Sequence, residues 1–178
     1  TVGILGFGEI GTELARRLQG YGCHILYNKR NRLPDEAEQE LHIEYATQEE
    51  LLQKSDFLCM LLPYFPETAL SLNAEFFSRI KPGSCFVSCG GSGVVDDQAL
   101  ANALASGHLY GAAVDTFVYE PIAKDSPFLP IAREPQTNLV LTPHTAAGSA
   151  SASSKSRTGD YINIERSVAG KNLVGRLV

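Results

Sequence analysis

The sequence predicts an α/β fold, a doubly wound parallel sheet in a single three-layer domain, and three observations carry that prediction. Short apolar runs alternate with stretches of helical spacing, the pattern of a parallel sheet covered by helices on both faces. Hydrophobic residues make up 44% of the 178 residues, enough for a real core at the length of one ordinary domain. The first apolar run opens directly into Gly6-Phe7-Gly8-Glu9-Ile10-Gly11, a glycine-rich turn between a strand and a helix, which makes the sheet Rossmann-type.

The elements follow in order. A strand over 2–5 leads into the turn, where Gly6 allows the tight bend, Gly8 lets a diphosphate approach the backbone, and Gly11 lets the helix close on the strand. A helix over 10–19 follows, whose N-terminal N–H groups attract an anion, and Glu9 and Ile10 in the turn are counted with the cofactor site. Strands are expected over 23–27, 57–62, 85–87, 110–114 and 139–141, with a short one at 42–45. Helices are expected over 34–40, 48–54, 74–79 and 96–106. Gly20, Ser55, Pro82 and Gly107 supply stops after helical stretches. Residues 116–138, with Pro121, Pro127, Pro130 and Pro135, read as a long connection, a length that is usually functional. Residues 149–156 have the composition of a flexible linker, yet Tyr161, Ile164 and Val168 keep helical spacing and favour a C-terminal helix.

Bulk properties exclude other classes. With 15 basic against 20 acidic residues, the formal charge of -5 leaves no footprint for nucleic acid. No stretch approaches the roughly 20 apolar residues of a membrane span, so neither a nucleic-acid nor a membrane partner is expected. Cys23, Cys59, Cys85 and Cys89 form no C-x-x-C pair and no zinc spacing. They are expected to be buried thiols in a reducing, cytoplasmic compartment, with no metal bound. The chain opens on Thr1 rather than methionine, which leaves room for residues before it.

The stretch after the second strand selects the cofactor. A carboxylate there would accept hydrogen bonds from the ribose hydroxyls of NAD. The sequence instead reads Asn28-Lys29-Arg30-Asn31-Arg32, and the first acid is Asp35, beyond Pro34. Three cations in four positions, Lys29, Arg30 and Arg32, favour a phosphate, so the stretch, with Asn28, Lys29 and Arg30 taken as cofactor-binding, points to NADP, with NAD as the alternative. A merely solvated basic loop stays open as well.

Two residues suit proton chemistry. His144 stands just past the strand at 139–141, on the edge where open parallel sheets bind ligands. Glu120 follows the strand that ends at Asp115, and a carboxylate beside an imidazole raises its pKa and orients the ring.

Together these motifs resemble the nucleotide-binding domain of the D-isomer-specific 2-hydroxyacid dehydrogenases. The likeness runs from the glycine turn through Cys59-Met60-Leu61-Leu62-Pro63, Pro66-Glu67-Thr68, Ile80-Lys81-Pro82-Gly83, Val94-Val95-Asp96 and Ala113-Val114-Asp115 to Thr142-Pro143-His144. The resemblance implies His144 as proton donor, Glu120 as its carboxylate partner, and Asp115 at the nicotinamide end of the cofactor. Leu62 and Pro63 would border the adenine, Thr68 would lie near the cleft, and Cys89 is counted with the cofactor site. The implied reaction is hydride transfer between a nicotinamide cofactor and a small 2-oxo or 2-hydroxy acid, in a homodimer.

Two departures qualify this. Where the family carries an arginine that grips the substrate carboxylate, this chain has Gly91, and no lysine or arginine occurs between Lys81 and Lys124. The family's separate substrate domain is also absent, so residues 1–178 are expected to be the dinucleotide-binding domain alone, with 173–178 as the start of a crossing toward the other domain. A non-catalytic NADP-binding module descended from such an enzyme is the rival expectation.

Overall fold

The computed structural model describes residues 1–145 and 150–174, the stretch 150–157 as backbone only. The strands are β1 (Val2–Leu5), β2 (Ile25–Asn28), β3 (Glu44–Tyr45), β4 (Phe57–Met60), β5 (Cys85–Ser88), β6 (Gly111–Val114) and β7 (Leu139–Leu141). The helices are α1 (Glu9–Leu18), α2 (Asp35–Leu41), α3 (Gln48–Lys54), α4 (Ala74–Arg79), α5 (Asp97–Ala105), α6 (Phe128–Ile131) and α7 (Ala150–Val168). Contacts divide the chain into two units, residues 1–143 and 144–178.

In the first unit all seven strands pair in parallel, in the order β3-β2-β1-β4-β5-β6-β7. Successive side chains on a strand point to opposite faces, and the core divides accordingly. Val2 and Ile4 of β1, with Ile25 and Tyr27 of β2, pack with Ala15 of α1 and Leu41 of α2. Leu5 and Leu26 turn the other way, into a cluster with Leu51, Phe77, Phe86 and Leu100. Helices therefore cover both faces, as the sequence predicts. Polar side chains close several helix starts: Thr47 and Glu50 form a capping box on α3, while Asn73 and Asp96 cap α4 and α5.

Several boundaries shift. The strand expected over 57–62 ends at Met60, because β1 turns away at Gly6, although the Leu61 N–H still reaches the Leu5 carbonyl at 2.8 Å. The strand expected over 42–45 keeps only its last two residues, since His42 takes a left-handed conformation at the end of α2. The connection 116–138 contains the short helix α6, which buries Phe128. Pro130 fits its first turn, where an N–H has no helical acceptor.

The expectation of four buried thiols fails at Cys89, which is exposed, while Cys23, Cys59 and Cys85 are half-buried. Cys89 lies just past β5, where the chain leaves the sheet. Burial, aided by Cys89, pushes the Cys59 thiol up to about 12.

The second unit is built on α7, which begins inside the linker-like composition. After Gly170 the chain doubles back, and Asn163 holds Val174 through two hydrogen bonds of 3.0 and 2.9 Å. Tyr161, Ile164 and Val168, which signalled the helix, are exposed. Residue 149 of the linker-like stretch and residues 175–178 of the expected crossing lie outside the described residues. Among the described residues, no helix is long and apolar enough to cross a membrane.

Candidate cofactor site

The strand order reverses between β1 and β4, and parallel sheets hold ligands beyond the carboxyl ends of the strands at such a point. Both strands end here in expected site residues. Gly6 adopts φ 89°, and a Cβ there would stand 2.8 Å from the Leu62 nitrogen, so only glycine suits the approach of the turn to the chain leaving β4. Gly8 is the N-cap of α1 and offers no capping side chain; a Cβ there would meet nothing within 4 Å. Open space over a bare helix N-terminus fits a diphosphate. Glu9 and Ile10 are exposed beside it. At Gly11 a Cβ would stand 3.1 Å from the Phe7 ring and 3.4 Å from the Gly6 carbonyl at the end of β1, so the missing side chain makes room for both the ring and the turn. Phe7 is buried against Tyr27, with ring centroids 4.8 Å apart.

The basic loop after β2 divides its charges. Arg32 clasps Glu38 through Nε to Oε1 at 2.8 Å and Nη2 to Oε2 at 2.7 Å, with a weaker contact to Asp35. That guanidinium is committed, so the three cations read from the sequence reduce to two. Among the described residues, Lys29 and Arg30 carry no ion pair or side-chain hydrogen bond; Lys29 is half-buried and Arg30 exposed. Asn28 donates its amide to the Ala46 carbonyl at 2.8 Å.

Leu62 connects the two walls, lying against Gly6 and accepting a 2.8 Å hydrogen bond from the Gly91 N–H; Pro63 beside it is exposed. Thr68 turns its hydroxyl to the Pro63 and Phe65 carbonyls at 2.9 and 3.1 Å, stapling its own loop. Position 91 is crowded: a Cβ would lie 2.4 Å from the Tyr64 nitrogen.

Farther along the same edge, Asp115 receives the Thr142 hydroxyl at 2.5 Å, and the Thr116 hydroxyl donates to the Gly90 carbonyl at 2.9 Å. Partial burial, and then the Asp115 carboxylate, push the Cys89 thiol above its ordinary value. Glu120 accepts the Phe117 N–H at 3.1 Å and precedes a cis peptide to Pro121. With Phe117, Ile122, Leu141 and Thr142 it lines a cavity of about 380 Å³. His144 is exposed, with a left-handed φ of 51°, and begins the second unit. The sequence signals neither the Arg32–Glu38 clasp nor the Thr142–Asp115 bond as a pair: Thr142 belongs to the Thr-Pro-His motif, whereas nothing in the spacing of Arg32 and Glu38 announces a contact.

A glycine turn opening onto the reversal point of a doubly wound sheet defines a dinucleotide-binding α/β domain. Residues 1–146 match the D-isomer specific 2-hydroxyacid dehydrogenase, NAD binding domain, and the chain belongs to that family. It is 41% identical over 145 residues to glyoxylate/hydroxypyruvate reductase B of Klebsiella pneumoniae subsp. pneumoniae, a match covering 81% of this chain and 43% of that protein. Its counterpart in Escherichia coli strain SMS-3-5 is 42% identical with the same coverage. Among solved structures, holo D-mandelate dehydrogenase of Rhodotorula graminis superposes with a TM-score of 0.86 at 28% identity, over 99% of this chain and 51% of that one. Apo D-lactate dehydrogenase of Escherichia coli gives 0.81 at 27%, over 99% and 54%. The chain thus spans about half the length of the proteins it matches, or less.

Proposed function

We propose that the chain is the nucleotide-binding part of an NADP-preferring reductase of small 2-oxo acids. The observation that carries the cofactor preference is the pair Lys29 and Arg30, without ion-pair partners among the described residues, beside an uncovered Gly8 turn. Of the carboxylates that follow, Glu38 has both oxygens committed to Arg32, and Asp35 and Glu36 stand beyond Pro34 on α2. The bound cofactor supplies the hydride. The backbone around Gly8 would hold the diphosphate, and Asp115, fixed by Thr142, would orient the nicotinamide end. His144 is assigned the proton delivered to the substrate carbonyl oxygen, and Glu120 the part of its carboxylate partner, both on the family resemblance. Glyoxylate and hydroxypyruvate are the first substrates to try, since the curated relatives are named for them. A cytoplasmic homodimer, paired through 116–138 and the helix after Asp96, and a substrate domain outside this chain complete the proposal.

A non-catalytic cofactor-binding module is the second reading, and Gly91 favours it. The Tyr64 backbone closes over the position where the family carries its substrate-gripping arginine. The intact protein is expected to consume NADPH with glyoxylate or hydroxypyruvate, and His144→Ala to abolish that turnover. Undiminished turnover in the variant would remove His144 from the mechanism. NADPH binding without turnover of any 2-oxo acid would establish the second reading.

A further inference from the structure

Between β2 and α2 a closed circuit of hydrogen bonds ties strand, loop and helix together. Tyr27, fully buried on β2, donates its hydroxyl to Glu38 Oε1 at 2.5 Å and accepts the Leu33 N–H at 2.9 Å. Glu38, on α2 and 8% exposed, is gripped on both oxygens by Arg32. The Arg32 guanidinium also stands 5.7 Å from the centre of the Tyr45 ring, which anchors it to β3. The loop is therefore pinned at both feet, at Asn28 through Ala46 and at 32–33 through the circuit. Only 29–31 is left as a short arch, and it carries both uncommitted cations.

We propose that Tyr27, Glu38 and Arg32 form a latch that shapes the 29–31 arch into a receptor for the 2′-phosphate of an adenine dinucleotide. The three are positioning residues that need not touch the phosphate themselves. Two features of the geometry point this way. A buried carboxylate held by a bidentate guanidinium and a phenol has fixed orientation, so the arch springs from rigid supports. The latch also pairs Glu38, the buried acid behind the arch, with Arg32 on both oxygens, sparing an incoming phosphate its repulsion. Fixing both ends of the arch backbone beforehand lowers the ordering cost of binding. The inference rests on the NADP preference proposed above and adds that this preference depends on residues behind the binding surface.

The test compares adenosine 2′,5′-bisphosphate with adenosine 5′-monophosphate by calorimetric titration of the intact protein, so that the 2′-phosphate is the only difference. The native protein is expected to favour the bisphosphate by about tenfold or more. Tyr27→Phe is expected to reduce that ratio by about threefold or more while leaving monophosphate affinity in place, and to have almost no further effect when Arg30→Ala is already present. Arg32→Lys keeps the charge but cannot span both Glu38 oxygens, and carries the same expectation should Tyr27→Phe fail to fold. An unchanged ratio, an equal loss for both ligands, or an effect that persists in full on Arg30→Ala would overturn the latch. A native protein with no bisphosphate preference would sink the NADP reading itself, and the latch with it, before any substitution is made.

Discussion

At position 91 a missing side chain is a packing fact as well as a chemical one. A methyl group there would lie 2.4 Å from one backbone nitrogen and 2.9 Å from the Tyr64 Cβ. Neither neighbour is the tip of a flexible side chain. Gly91→Ala is expected to destabilise the protein by about 1–3 kcal/mol through forced displacement of 63–64, measured as a lower midpoint in urea; an unchanged midpoint would show that the segment yields freely. Gly91→Arg therefore cannot serve as a simple restoration of the family's arginine, because any loss it causes mixes strain with chemistry. The sequence gives the absence of a cation here but not the crowding, which depends on the chain after β4 folding beside the chain after β5. Gly6 was legible for the opposite reason, since a strand followed by a glycine turn and a helix is a local pattern.

On the scale of elements, the β2–α2 junction holds its shape through a buried carboxylate. Hydrogen bonds from Arg32, and then Tyr27, bring Glu38 from its ordinary 4.5 down to about 2 against the opposing effect of burial. A folded value below the unfolded one contributes stability that is fully present above pH 4.5 and lost as the pH falls through about 2. Unfolding free energy measured across that window is expected to fall more steeply for the native protein than for Glu38→Gln. Parallel curves would show that the clasp contributes nothing to the pH dependence. Strands and longer helices were readable because apolar spacing marks them, and the 48–54 and 74–79 helices fall where expected. The four-residue α6 was not, because a single turn rich in proline has no period to detect, and its reason for existing is the burial of Phe128.

At the scale of the whole chain, strands alternating with helices led directly to the parallel three-layer sheet, and the strand order then fixed where a ligand would lie. The glycine turn, Leu62 and Gly91 meet at that reversal, far apart in sequence but adjacent in the fold. The balance of charge around it was only half legible: three cations can be counted in the sequence, whereas Arg32 leaves the count through a contact made by chain reversal. The central claim, that this edge holds a phosphorylated nicotinamide nucleotide, is tested most directly by titrating NADPH and NADH against the intact protein and following nicotinamide fluorescence. NADPH is expected to bind more tightly by about tenfold or more. Equal affinities, or binding of neither, would contradict the account.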